Sequence, residues 1–467
     1  MSRTVLRRAR RGQIPLSVMV AMVAILIAAL AVSTYLGTST KTIDGREEIV
    51  AWGVTFLGED VYSLAHEFER QNPQYHVIIS STAERDTTSD SQRLLSAIAG
   101  GVPPDVVVFP RFATGEWAQR NALADLGELI DRQNPADPNR LDLSEYYEWA
   151  IKEGSYHTPG TAGPDHIYGI PITADLRLLY LNGTLLRKAG LQPPRTWEEL
   201  REDTRKLTVF RTPGDPKSGI AQLGFAPNFG NSWLYLYAWQ AGGELLSPDR
   251  TKVTLDSPPV VRALRFMTDI YDDLGGAMSV DAFQQSLSGE SMGGSFRANP
   301  MAGDLDPFLR GAVAMKIDVD ESLRTIAQWK PDMDFIIAPP PMPADQLALG
   351  RKPLTWTGGF SLVIPRTARN KSGAFKLIQF LTSWQSTKRL AQGERERCES
   401  EGRLYLPSAL ANRVQFERLA NDAVFDNPHM PQTFKHAYHV MHDLLPNVRV
   451  RPSTPVGQLL WNQHVRA

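Results

Sequence analysis

Cysteine is nearly missing: Cys398 stands alone among 467 residues, so no internal disulfide can form. One cysteine neither proves nor excludes an oxidising compartment. Charge of one sign is also missing. Fifty basic residues face 51 acidic ones, and the net charge is −1. Nothing in that balance suits a nucleic-acid backbone, so no nucleic-acid partner is expected. A P-loop, a Gly-x-Ser-x-Gly elbow and a His-Glu-x-x-His zinc helix are all absent. His436, His439 and His442 are spaced so that only adjacent pairs share a helix face, whereas zinc needs three or four convergent ligands. No metal and no cofactor is expected. Internal repeats are lacking too.

The first 43 residues contain no acid, and Asp44 is the first. They do contain Arg3, Arg7, Arg8, Arg10 and Arg11, followed by an apolar run from Ile14 to Leu36. A spanning helix needs roughly 20 such residues, and a signal-peptide core about 7–15. The arginines stay on the cytoplasmic side. Residues 1–41 therefore read as an Arg cluster, a transmembrane or signal segment and a tether, with everything later outside the cytoplasm. Two forms stay open: a retained single-pass anchor in the cell membrane, or export to the periplasm after cleavage beyond Ala29-Leu30-Ala31. No cysteine follows the apolar run to carry a lipid.

Beyond the tether the chain has the length and the ordinary 42% apolar content of two large lobes. Strands are predicted at 48–53, 75–80 and 105–109, with helices at 60–70 and 91–99 between them. Asp105 to Phe109 is apolar on both faces, as in a buried parallel strand. The alternation implies βαβ units and an open α/β sheet. Further strands are predicted at 176–182, 312–317 and 334–338. Thr196 and Glu199 form a capping box for a helix to about Thr208. Ser257 and Pro258 open another, with Val261, Leu264, Met267 and Tyr271 as its buried stripe. Asn370 caps a helix to Leu381. Residues 286–302, rich in Gly, Ser and Met, read as a loop.

Two phrases far apart in the chain share one design. Ala99-Gly100-Gly101-Val102-Pro103-Pro104-Asp105-Val106-Val107-Val108 and Trp356-Thr357-Gly358-Gly359-Phe360-Ser361-Leu362-Val363-Ile364-Pro365 each join a Gly/Pro turn to a β-branched strand. Ligands in open sheets bind beyond the carboxyl ends of strands. That points to Trp52, Arg111, Phe112 and Asp175 as candidates. Trp356 and Gly358 join them, because a glycine pair lets backbone approach a ligand closely.

The ordered landmarks resemble the family 1 extracellular solute-binding proteins of ABC transporters, the group of maltose- and sugar-binding proteins. They are Val50-Ala51-Trp52-Gly53, Phe68-Glu69-Arg70-Gln71-Asn72-Pro73, Pro104-Asp105-Val106, Leu179-Tyr180-Leu181-Asn182, Ala189-Gly190-Leu191 with Thr196 to Leu200, Gly358 to Leu381, and Leu404-Tyr405-Leu406-Pro407. The resemblance implies a two-lobed periplasmic-binding-protein-like α/β fold with three interlobe crossings. Its first lobe would take 46–173 and 360–408, and its second 177–355 and 411–467. Hinges would lie near Ala174, Trp356 and Ser408. It places Phe229, Asn231 and Trp233 among second-lobe contacts and gives Asp175 a hydroxyl-binding role. One departure stands out. Ala314-Met315-Lys316-Ile317 runs into Asp318, Asp320 and Glu321, where the family often has a stacking aromatic. Those acids read first as a solvated turn and helix cap, with acid/base chemistry and the binding of a cation or basic ligand as the alternatives.

The expected function is extracytoplasmic binding of a carbohydrate, with hinge closure around it and delivery to ABC permease subunits. The protein is expected to be a monomer and not an enzyme. Two rivals stay open: an extracellular glycan-cleaving enzyme using Asp175 with Asp318 or Glu321, and a sensory ectodomain of the same fold.

Overall fold

The computed structural model describes residues 45–80, 87–288 and 306–466. The expected N-terminal segment 1–41 and most of the expected loop 286–302 lie outside the described residues. Ser286 to Ser288 close a helix that begins at Ala277. Among the described residues no helix is long and apolar enough to cross a membrane.

Eight strands build two sheets: β1 Glu47–Trp52, β2 Tyr75–Ser80, β3 Val106–Pro110, β4 Gly169–Pro171, β5 Arg177–Asn182, β6 Met315–Val319, β7 Phe335–Ala338 and β8 Phe360–Val363. The first sheet has the order β2-β1-β3-β8-β4, and the second the order β6-β5-β7. β1 pairs in parallel with β2 and β3, as the βαβ reading requires. β8 enters antiparallel, with Phe360 opposite Pro110 and Ser361 opposite Pro171. All six residues of β5 are buried, because β6 and β7 flank it.

The helices follow their local chemistry. α1, Val61–Gln71, buries Val61, Leu64, Ala65 and Phe68 on one face. α2 is Thr87–Ala99, and α3, Thr114–Gln119, follows one turn after β3. α4, Trp197–Leu207, starts with the expected capping box: the Thr196 hydroxyl accepts from the Glu199 amide, and the Glu199 carboxylate accepts from the Thr196 amide. α5, Leu234–Gln240, is buried at every position. α6, Pro258–Asp273, departs from expectation twice. Its buried residues are Val260, Ala263, Met267 and Ile270, while Leu264 faces outward. Val260 on the buried face closes on Gly243 just beyond the aromatic α5. The Ser257 hydroxyl also makes no capping bond. α7 is Glu321–Trp329, α8 is Lys371–Leu381 with the Asn370 side chain accepting from the Gly373 amide, and α9 is Gln432–Leu444. α10, Gly457–Arg466, ends the described chain.

The sheets are joined where β4 runs into β5 and where β7 leads to β8. A third strand-like passage lies beside the first, with the Ala174 amide donating to Ala409 and the Ala411 amide to Ile172. The core is continuous across these passages. One buried cluster runs from Ile49 and Val106 through Ile172, Ala174 and Leu176 to Tyr180 and Phe335. The sequence reading assigns 411–467 to the second lobe, yet α10 packs against α3 and the turn Arg111–Ala113 of the first.

Candidate functional site

β3 ends at Pro110, and the following turn aims Arg111 and Phe112 toward the passages between the lobes. The Arg111 side chain is fully buried. Its Nε donates to Glu153 at 2.8 Å, and its terminal nitrogens donate to the carbonyls of Thr173 and Gly358. One guanidinium thus ties β3 to both the first and the second passage. The other oxygen of Glu153 accepts from Arg451 Nε at 3.1 Å. A carboxylate this deeply buried is tolerable only because two cations satisfy it.

Arg177 opens β5 from the second lobe. Its guanidinium lies 3.5 Å from the Trp356 ring centre and donates to Asn231 Oδ1 at 3.0 Å and to the Asp175 carbonyl. Burial pushes Arg177 down to about 9, with Arg451 adding to that and Asp175, Asp318 and Asp320 opposing it. The group stays charged at neutral pH. Trp356 has no exposed surface and is flanked by Arg177, by Arg451 at 5.2 Å and by Tyr235 at 5.8 Å. Gly358 sits where these arginines converge. A Cβ there would meet Arg451 Nη2 at 2.7 Å and Arg177 Nη1 at 3.3 Å.

The aromatic half of the site is completed from the chain's end. Trp461 of α10 stacks on Phe112 with centres 5.5 Å apart and meets Trp233 edge-on at 5.4 Å. It lies parallel to Tyr235 at 6.5 Å. Arg451 stands over Phe112, Trp356 and Trp461 at 4.9, 5.2 and 5.5 Å.

Of the nine residues singled out from sequence, Arg111, Phe112, Asn231, Trp233, Trp356 and Gly358 join this arginine–aromatic cluster directly or through one partner. Asp175 lies beside it, half-buried, and its carbonyl accepts from the Gly358 and Arg177 donors. Phe229 packs in the second-lobe core. Trp52, half-buried at the end of β1, has the Arg93 guanidinium 5.3 Å from its ring. Sequence reasoning missed Glu153, Arg177, Tyr235, Arg451 and Trp461. An arginine inside the apolar run Leu176 to Leu181 was a usable signal, since a charge in a buried strand demands partners.

The acids at 318–321 are not a solvated turn. Asp318 is almost fully buried and accepts from Lys316 Nζ at 3.0 Å and Ser322 Oγ at 2.7 Å. Burial pushes the Lys316 ammonium down, but Asp306 and Asp318 more than offset it. Asp320 makes no helix cap. One of its oxygens accepts from the Leu176 amide at 2.9 Å and the other from Ala409 at 3.0 Å, so it clamps the first and third passages. Burial pushes its carboxyl up to about 7, with Asp175 and Glu321 adding to the rise. Glu321 pairs with Arg324 at 3.0 Å.

Two lobes joined by several passages, with a lined cluster at the junction, define the architecture of a binding protein that holds its solute between lobes. The family model for bacterial extracellular solute-binding proteins matches residues 57–387, and the chain belongs to that family. It is 28% identical over 156 residues to the sn-glycerol-3-phosphate-binding periplasmic protein UgpB of Salmonella paratyphi A, which is 32% of this chain and 33% of the relative. The chain matches less than half the length of its sequence relatives. Its fold is similar to the mannotriose-bound protein CpMnBP1, with a TM-score of 0.64, 23% identity, and coverage of 87% of this chain and 91% of that one. It is also similar to the sugar-binding protein MalE of Xanthomonas citri, with a TM-score of 0.61, 21% identity, and coverage of 90% and 89%. The family and these neighbours are binding proteins.

Proposed function

We propose that this chain binds a carbohydrate between its lobes outside the cytoplasm and delivers it to the permease of an ABC transporter. One observation carries the reading. Arg177 Nε, Trp233 Nε1 and Trp356 Nε1 are buried without a hydrogen-bond partner. Each is a donor that cannot accept, and such groups are rarely left unmet in a folded protein. A ligand rich in hydroxyl oxygens supplies acceptors to all three, and the indole faces suit the apolar face of a sugar ring. The names of the relatives agree, since they bind mannotriose, other sugars or a polyol phosphate.

In this reading Trp233, Trp356 and Asn231 touch the ligand, with Asp175 at the rim. Arg111 and Gly358 frame the pivot. The lobes move about passages near Ala174, Trp356 and Ser408, and the ligand stabilises the closed form by binding it more tightly. The chain acts as a monomer, and its N-terminal apolar run holds it to the membrane or directs its export. A glycan-cleaving role is less well supported, because Asp318 is tied to Lys316 and Glu321 to Arg324, leaving neither carboxylate free to shuttle a proton.

The test is thermal-shift screening of the full chain against mono- and oligosaccharides, polyols and sn-glycerol 3-phosphate, with product analysis on every hit. At 100 times its Kd a ligand adds about 2.7 kcal/mol of stability. A rise in Tm with one carbohydrate and no product is the expected result. Formation of cleaved product would overturn the binding-only reading.

A further inference from the structure

The end of the chain behaves unlike the rest of the second lobe. Arg449 pairs with the second passage: its amide donates to Thr355 and its carbonyl accepts from Thr357, both at 2.9 Å. Its side chain is held by Glu244 of the second lobe. From there the chain leaves that lobe. Arg451 reaches Glu153, and Ser453 and Thr454 run over α3 of the first lobe. The Gln458 amide, in the first turn of α10, donates to Glu116 at 2.8 Å. A carboxylate suits the positive end of a helix.

Two glycines make this seat. A Cβ at Gly115 would meet Ser453 Oγ at 2.5 Å and the Thr454 backbone at 2.8 Å. A Cβ at Gly457 would meet the Phe112 carbonyl at 2.2 Å. Contacts that close leave no room for any other residue. The helix so placed inserts Trp461, 6% exposed, between Phe112 of the first lobe and Trp233 and Tyr235 of the second. The ring therefore fills the space between aromatic faces that a solute would use.

We propose that residues 449–466 are an intramolecular occupant of the interlobe site. Arg451 and Trp461 hold the lobes together while no solute is present, and solute gains the site by displacing α10. Competition with solute rests on the binding reading above, whereas the holding of the lobes does not. A site that its own chain fills about nine-tenths of the time binds solute about tenfold more weakly than an open one.

Two variants of the full chain, Gly457→Ala and Trp461→Ala, test this. The first expels the helix by collision and the second removes the inserted ring, so one remains if the other fails to fold. The interlobe distance is read with spin labels at exposed positions, Arg132→Cys in the first lobe and Met278→Cys in the second. The native Cys398 is buried. Without solute, both variants should give a longer and broader distance distribution than the unsubstituted chain. An unchanged distribution overturns the proposal. Titration with mannotriose, maltose and sn-glycerol 3-phosphate should give about tenfold tighter binding in both variants. Equal or weaker binding overturns the competition. If none of these probes binds any form, the binding reading fails and the competition with it, and the label distances still decide whether the segment holds the lobes.

Discussion

Replacing Glu153 by Gln is the sharpest test of the junction. Glu153 is 1% exposed, and each of its oxygens meets a guanidinium, Arg111 at 2.8 Å and Arg451 at 3.1 Å. Glutamine keeps the shape and one acceptor but turns an amide N–H₂ toward the second arginine. Two buried cations are then left with no anion between them. Breaking a buried ion pair from one side costs about 3–5 kcal/mol. Arg111 keeps its bonds to Thr173 and Gly358, so we expect the lower end of that range. With an unfolding entropy of about 2.1 cal/mol/K per residue, a chain of 467 residues shifts by about 1 °C per kcal/mol, so the melting temperature should fall by about 3 °C in scanning calorimetry. Most of that loss is the penalty of stranded charge, so adding Arg451→Met should recover part of it. A Tm within about 1 °C of the unsubstituted chain, or a double variant weaker by the full sum, would refute the argument that Glu153 neutralises both arginines.

Three further outcomes follow from the same geometry. Trp356→Ala should cost about 3–5 kcal/mol by denaturant unfolding, because the indole is wholly buried and its loss leaves a cavity; Trp356→Phe should retain most of that stability while weakening solute binding through loss of the Nε1 donor. The raised Asp320 carboxyl, at about 7 against 3.8, means the folded chain holds a proton the unfolded chain releases. Its contribution to stability is therefore present below about pH 4 and lost as pH rises through about 7, and the denaturant midpoint should lose that part of its slope in Asp320→Asn. Thr196→Ala should lower stability by about 1 kcal/mol, since it removes one half of a formed capping box; no change in unfolding midpoint would mean the box is redundant.

Much of the framework was legible because it is written in short-range chemistry. The β1–α1–β2 unit, the buried β3, the Thr196 box and the Asn370 cap each depend on residues within a few positions of one another. The ends of β3 and of the second passage were legible for the same reason, and they brought Arg111, Phe112, Trp356 and Gly358 to one place. What escaped was pairing across long separations. Nothing near Glu153 announces that Arg111 and Arg451 will share it. Asp320 looked like part of a polar turn because its partners lie far off, at Leu176 and Ala409, while Asp318 is tied locally to Lys316 and Ser322. The α6 stripe slipped because apolar residues stand on adjacent faces, Val260 and Ala263 beside Val261 and Leu264, and the larger pair is not the one turned inward. The face is set by distant packing, such as Val260 on Gly243 and Phe266 on Trp197.

The positions of the charged partners bear on how the lobes move. Arg111 bonds to carbonyls on the first and second passages, and Asp320 to amides on the first and third. Arg177 donates to the Asp175 carbonyl and to Asn231, and its guanidinium lies over the Trp356 ring. The bonds by which Arg111 and Asp320 join the passages are all made to backbone, with Glu153 satisfying the remaining Arg111 donor. The contacts that bridge the lobes farther out include Arg250 with Asp165 at 3.4 Å, Arg324 with Glu394, and the rings around Trp461. Partly exposed pairs of this sort are worth little, and stacked rings add about 0.5–1.5 kcal/mol beyond their burial. Opening would therefore break weak outer contacts while the strong inner ones persist. That ordering of strengths gives a stiff pivot and a yielding rim, as a protein that closes on a solute and later releases it requires.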